Sequence, residues 1–265
     1  MGSTFTGLRI AQSALAASQI CLDVTGQNIA NVNTKDYTRQ SAELNAVNYN
    51  NSVSKFAQPP ATNKGQGVTV AQIAQIRDKL LDVKVRNCHS NYNTTSVILS
   101  GLSDIENVFD ETDNSGLNAI LGDFYSQLQQ LSNNAGNTGY ASMTRSAAQK
   151  VCQVFNQYAS QLSQIRDEQM ASLEIAVEDI NTVISKLNEV NTQIKDQSVR
   201  GSISNELLDD RNSYLDTLSK YMNITVTAQN DGTVKVSSTG NADVLDSTFS
   251  ISQSGDQVVI QRTDT

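Results

Sequence analysis

One histidine, three cysteines and no tryptophan among 265 residues leave metal and redox chemistry little to work with. His89 has no second histidine or neighbouring cysteine at ligand spacing, and the adjacent Cys88 points about 100° away from it on a helix. Cys21, Cys88 and Cys152 are odd in number and far apart, which excludes a disulfide framework and any C-x-x-C motif. Each lies on an apolar helical stripe, so the pattern predicts three small buried hydrophobes. No catalytic residue, metal ligand or cofactor is expected. No run approaches 18 consecutive apolar residues, so no membrane insertion is expected. The balance of 19 basic against 27 acidic residues, net −8, argues against a phosphate-neutralising surface and so against nucleic acid as a partner. The first twenty residues hold Arg9 but no continuous apolar core and no small-residue cleavage site, so no cleaved secretory signal is expected.

Several short patterns imitate known sites and fail on spacing. Glu111, Asp113, Ser115 and Gly116 match the first half of a calcium loop, but its twelfth position is Gly122 rather than a bidentate glutamate. Gly65-x-Gly67 lacks the third glycine of a dinucleotide loop. Met1 to Thr6 fits an acylation pattern, and Asn50, Asn93 and Asn223 begin glycosylation triplets; both matter only in a eukaryotic pathway.

What the chain has in quantity is helical periodicity. Positions 8, 11, 15, 18, 22, 25 and 29 step by three and four, as side chains on one helical seam do. Ile10, Ala14, Ala17, Cys21 and Val24 form a second seam, roughly 200° round from the first. A helix apolar on opposite sides is buried between neighbours, and one so early in a chain is expected to find them outside it. Residues 38 to 49 alternate loosely, Pro59-Pro60 with Gly65 and Gly67 punctuate a connector, and Val68 and Val70 suggest a short strand.

From Arg77 a long helix is predicted on the seam Leu81, Val85, Cys88, Tyr92, Thr95, Leu99, Leu102 and Phe109, in the manner of a coiled coil. Leu117, Leu121, Phe124, Leu128 and Leu131 mark the next. Between Gly139 and Gly201 there is neither glycine nor proline, so one helix of about 90 Å is predicted, with a bend or a change of packing partner near Gln169. Leu208, Arg211, Leu215 and Leu218 mark a last helix. From Asn223 the period becomes two: a hairpin turning at Asn230-Asp231-Gly232, and a second turning at Ser254-Gly255. The fold class is therefore mainly α with a β segment. An N-terminal assembly helix and extended connector (1–76) precede a helical rod domain (77–222) and the start of a β domain (223–265), incomplete because two hairpins make too little core.

The stretch after the first helix, Asn28-Ile29-Ala30-Asn31 through Thr34, Tyr37, Thr38, Arg39 and Gln40, resembles the N-terminal signature of the bacterial flagellar axial proteins, a family of rod, hook and hook-associated proteins. Gly65 to Val70 with Ile76-Arg77-Asp78, and Asn205 to Asn212 with Leu215 and Leu218-Ser219, resemble later blocks of the same family, in its order. Two positions depart from its pattern: Asp36 stands where glycine usually precedes the tyrosine, and Asn212 where aspartate is usual.

Taken alone, the Asn28 to Gln40 block reads as a helix C-terminus and turn, with asparagines satisfying the last carbonyls and Tyr37 packing locally. The resemblance implies more. It implies a structural role, closest to the hook-associated members that join hook to filament, with Leu8, Leu15, Leu22, Ile29, Asn28, Asn31, Thr34, Tyr37, Arg39 and Gln40 at subunit interfaces and Arg39 meeting a neighbour's carboxylate. The implied partners are copies of the chain, the flagellar hook protein, a second hook-associated protein and an export chaperone. The implied location is the extracellular flagellum, reached by type III export without cleavage. The family adds further β structure and a returning C-terminal helix, so the sequence reads as an N-terminal portion. The competing readings are another axial component, rod or hook, and a cell-wall hydrolase carrying an assembly domain. The second lacks its catalytic constellation in these residues.

Overall fold

The computed structural model describes residues 5–47, 65, 67–109, 116–238, 243–254 and 257–264. The calcium-like positions 111–115, Pro59-Pro60, residues 1–4, Asn50 and Gly255 lie outside them. Among the described residues the elements are α1 (Thr6–Ala30), β1 (Gln40–Ala46), β2 (Val68–Gln75), α2 (Lys79–Val108), α3 (Leu117–Asn133), α4 (Thr138–Val199), α5 (Asn205–Tyr221), β3 (Ile224–Ala228), β4 (Val234–Ser238), β5 (Ser247–Ser254) and β6 (Gln257–Asp264). The fold is mainly α, as the periodicity predicts, with three two-stranded sheets, β1–β2, β3–β4 and β5–β6.

Two compact units divide the chain. One holds residues 1–86, 185–217 and 225–237, the other 87–184, 218–224 and 238–265. In the first, Leu187 and Ile194 of α4, Leu215 of α5 and Val236 of β4 are the fully buried apolar side chains. Gly232 closes the β3–β4 turn at φ 84°, a backbone that favours glycine, and a Cβ there, 2.9 Å from Ile203 Cδ1, would oblige that side chain to shift. In the second unit, Val177, Ile180, Val183 and Ile184 of α4 are buried, as are Leu218 and Val244.

Helix α4 runs unbroken through Gln169, because nothing between Gly139 and Gly201 interrupts the hydrogen-bond ladder. It stops where Gly201 takes φ 82°, with the Ser202 amide returning to the Gln197 carbonyl. Apolar residues thin out near Gln169 without breaking the helix, and its buried run begins at Val177 and includes Val183 and Val190.

Two expectations fail on burial. Leu81, Val85, Cys88, Tyr92, Leu99 and Leu102, the predicted seam of α2, are exposed, and the buried residue of that helix is Arg86. Periodicity finds a face suited to burial but does not say what covers it. For the same reason Cys88 and Cys152 are exposed and Cys21 half-buried, rather than the buried hydrophobes expected.

The flanks of the expected connector pair with each other. β1 and β2 are antiparallel from Gln40 opposite Gln75 to Ala46 opposite Val68, with a bulge at Glu43/Leu44, and both strands pack on α1.

Candidate assembly interface

The two seams of α1 have different fates. Ala17 and Val24 are buried and Ile10 and Cys21 half-buried, although Ala14 of the same seam is exposed. The expectation that both seams lack partners within the chain therefore fails for this one, which the β1–β2 pair meets. The approach is close: Ser13 Oγ donates to the Ile10 carbonyl at 2.9 Å and accepts from the Val68 amide at 3.3 Å. Gly67, at φ 102°, leaves no room for a Cβ against Ser13.

The first seam stays outside. Leu8, Leu15, Leu22 and Ile29, spaced by sevens, are all exposed, Leu15 and Leu22 by 72% and 71%. A strict seven-residue repeat drifts about 20° per heptad on a straight helix, so a helical partner would wrap around α1 to follow the row. The N-terminus of the helix has no side-chain cap hydrogen bond and no acidic first turn, and no basic residue stands in the last turn.

One side chain, Asn28, ties the end of α1 to the start of β1. Asn28 Nδ2 donates to the Gln40 carbonyl at 2.9 Å, and Asn28 Oδ1 accepts from the Gln40 amide at 2.9 Å and the Tyr37 hydroxyl at 3.0 Å. The amide thus serves Gln40 as a neighbouring strand would. Burial, then the carboxylates of Asp209 and Glu206, push the Tyr37 phenol upward, which keeps it protonated and donating. Asn31 Nδ2 donates to the Gln27 carbonyl and Thr34 to Asn31 Oδ1, closing the helix end. Asp36 adopts φ 65°, so it takes the left-handed conformation its usual glycine would supply, and its carboxylate accepts from the Ser213 hydroxyl at 2.8 Å. Arg39 is exposed and its guanidinium forms no ion pair among the described residues.

The sequence blocks that resemble the axial family meet in this unit. Asp209 of α5 accepts from the Thr38 amide at 3.2 Å and from Gln75 Nε2 at 2.8 Å, and Asn205 Nδ2 donates to the Ile73 carbonyl at 3.0 Å. Arg77 binds Asp82 at 2.7 Å and Asp216 at 3.3 Å, and Arg86 binds Asp216 at 2.7 Å. Burial opposes the charge of Arg77, but Asp82 and Asp216 outweigh it and raise its pKa. Asn212, in its departure from the pattern, offers Arg86 only a contact of 3.5 Å; the carboxylate comes from Asp216, one turn along the same face. Arg86 and Asp216 carry no signal in the sequence, since a buried Arg–Asp pair 130 residues apart looks like two surface charges.

Among the described residues no three His, Cys, Asp or Glu side chains group as a metal site, and no helix is long and apolar enough to cross a membrane.

Comparison with known proteins agrees with this picture. The family model for the helical domain of flagellar hook-associated protein FlgK matches residues 102–257, and that for flagella basal body rod proteins matches residues 8–38. The chain is 37% identical over 232 residues to flagellar hook-associated protein 1 of Bacillus subtilis, covering 88% of this chain and 46% of that protein. It is 25% identical over 228 residues to the protein of the same name from Salmonella typhimurium, covering 84% and 39%. It thus spans about half the length, or less, of these relatives. The structure of the flagellar hook junction protein FlgK from Burkholderia pseudomallei matches with a TM-score of 0.61 at 20% identity, over 69% of this chain and 33% of that one, which is a likeness of fold. With more than half its residues matched by that family's helical domain, the chain belongs to the flagellar hook-associated protein FlgK family.

Proposed function

We propose that this chain is a structural, non-enzymatic part of the bacterial flagellum, at the junction of hook and filament, and that it assembles through the outward seam of α1. The observation that carries the reading is the row Leu8, Leu15, Leu22 and Ile29, exposed on a helix whose other seam is already occupied. Each large apolar side chain that a neighbour covers contributes about 1.5–3 kcal/mol, enough for four in line to bind firmly. The match of residues 8–38 to rod proteins supports a contact mode shared along the flagellar axis. In this reading residues 1–76 assemble, 77–222 form the rod and 223–265 begin a β domain. The partners are copies of the chain, hook protein on one side and a second hook-associated protein on the other, after chaperoned export without a cleaved signal. Arg39, exposed, meets a neighbour's carboxylate, while Asn28, Asn31, Thr34, Tyr37 and Gln40 hold the turn that presents it.

The test is the double variant Leu15→Asp/Leu22→Asp in the complete gene. Both positions are exposed, so circular dichroism of the purified protein should be unchanged. A charge placed in a covered seam costs on the order of several kcal/mol, so filament attachment and motility should be lost. Normal motility of this variant rejects the reading.

A further inference from the structure

Asn205, Asp209 and Ser213 follow one another by four residues, so they stand in line on one face of α5, one per turn. Each holds a different part of the module made by α1, β1 and β2. Asn205 Nδ2 donates to the Ile73 carbonyl of β2 at 3.0 Å, and the Ser213 hydroxyl donates to the Asp36 carboxylate at 2.8 Å. Both bonds are exposed, where water replaces them at little cost. The middle residue differs. Asp209 is 9% exposed, and its two carboxylate oxygens serve both strands. Oδ2 accepts at 3.2 Å from the amide of Thr38, two residues before β1, and Oδ1 accepts at 2.8 Å from Nε2 of Gln75, the last residue of β2. No ion pair engages that carboxylate among the described residues.

What Asp209 holds is tied to α1. Gln75 stands opposite Gln40 in the β1–β2 register, Asn28 of α1 grips Gln40, and Val68 at the far end of β2 donates to Ser13 of α1. A displacement of Thr38 and Gln75 therefore carries the helix with it. The module meets α5 partly across open space. Ile73 and Gln75 of β2 and Leu208 and Asn212 of α5 line one cleft of ≈ 950 Å³, and Arg77 reaches Thr38 Oγ1 only at 3.4 Å.

We infer that Asp209 is the positioning residue for the outward row of α1, fixing where that row stands relative to α5 through a carboxylate shared by both strands. The inference rests on the reading that the row assembles, and it adds a buried residue outside the row to what assembly requires. Two donors converge on Asp209, and Gln75 Nε2 also donates to the Asn205 carbonyl at 2.9 Å, which keeps the amide nitrogen turned toward α5. The position thus demands two acceptor oxygens. Asparagine has the same size but one oxygen, and its amide nitrogen would face a donor.

The experiment measures the position directly, by double electron–electron resonance in the full chain. Nitroxide labels stand at Gln19→Cys on α1 and Asp210→Cys on α5, both exposed and outside the leucine row, while Cys21→Ala, Cys88→Ser and Cys152→Ser remove the native thiols. The parent should give one narrow distance distribution, and Asp209→Asn should widen or shift it with circular dichroism unchanged. A role in filling space alone would not, since the replacement keeps the shape. Should Asp209→Asn not fold, Gln75→Met, which removes one of the two donors, should change the distribution instead. Ser213→Ala, which breaks an exposed bond of the same stripe, should leave it as it is. In the complete gene, filament attachment should fall about tenfold in Asp209→Asn and stay normal in Ser213→Ala. The inference is overturned by a broad distribution in the parent, by one that Asp209→Asn (or Gln75→Met in its place) leaves unchanged, by an equal change in Ser213→Ala, or by normal attachment of a variant whose distance has changed. Failure of the assembly reading shows elsewhere: the Leu15→Asp/Leu22→Asp variant would be motile while the distance still answered to Asp209.

Discussion

Replacing Asp216 with alanine removes the carboxylate that neutralises Arg86. Arg86 is 6% exposed, and once its 2.7 Å bond to Asp216 is gone its remaining side-chain contact is the 3.5 Å approach to Asn212 Oδ1. Breaking a fully buried ion pair by removing one partner costs about 3–5 kcal/mol. The Asp216 side chain is 34% exposed, so water enters the vacated space and the cost falls to about 2–3 kcal/mol. Arg77 loses a 3.3 Å contact but keeps Asp82 at 2.7 Å, which adds no more than about 0.5 kcal/mol.

A single denaturation midpoint would mix the transitions of two compact units, so the assay is amide hydrogen exchange along residues 207–217 of α5. At tenfold per 1.4 kcal/mol, exchange there should quicken roughly 30- to 300-fold. The double variant Arg86→Met/Asp216→Leu, which leaves no stranded charge, should recover more than half of that loss. Less than about threefold acceleration in Asp216→Ala, or a double variant as open as the sum of the two single replacements, would refute the reasoning.

Asn28→Ala removes three hydrogen bonds and leaves the Gln40 backbone unpaired, so exchange at the Gln40 and Ser41 amides should rise by a factor equivalent to about 2–3 kcal/mol, with α4 unaffected. At φ 65°, Asp36→Gly trades backbone relief for the lost Ser213 bond and should change local stability by less than about 0.5 kcal/mol, whereas Asp36→Val should cost about 1–3 kcal/mol; equal amide exchange at Tyr37 and Thr38 in the two variants would reject this. The Ser204 hydroxyl, then its own backbone amide, holds the Glu206 pKa below the usual glutamate range. That contribution is present above the unfolded pKa and lost as pH falls through the lower folded value, so Ser204→Ala should raise the Glu206 pKa in a ¹³C carboxyl titration. An unchanged value would assign the shift elsewhere.

Glycine spacing and period placed the helices and both later hairpins, because backbone propensity and amphipathicity are local properties. The strand pair β1–β2 was half legible: alternation marked each side, but pairing across the segment between them depends on Gly67 meeting Ser13, a contact no local pattern encodes. The seams were legible as faces and not as interfaces. Of the two on α1, the one of smaller residues is covered and the one of leucines is open, and on α2 the predicted seam is open throughout. The Asn28 to Gln40 block was found by resemblance, yet its inward half, the bonds of Asn28 and Tyr37 and the docking of Thr38 on Asp209, needed coordinates. Long-range charge pairs such as Arg86–Asp216 leave no periodic trace.

Three asparagines supply what periodicity could not show. Asn28 grips both backbone groups of Gln40, Asn191 those of Val234 at 3.0 and 3.2 Å, and Asn181 those of Phe249 at 2.8 and 2.9 Å. Each stands on a helix and serves a strand of a two-stranded sheet. Such sheets are marginal alone, because each strand keeps an edge of unpaired amides and carbonyls. A primary amide carries the same donor and acceptor as a peptide, so an asparagine on an adjacent helix can replace part of the missing third strand. It loses about 0.7 kcal/mol of helix propensity and gains two hydrogen bonds of about 1 kcal/mol each. This device explains how a mainly helical chain keeps three separate hairpins in place. It also gives the family-like block a division of labour. Asn28 commits one side of α1 to the chain's own sheet, while the heptad row, about 100° round the helix at Ile29, stays exposed, so the assembly proposed above would not compete with folding.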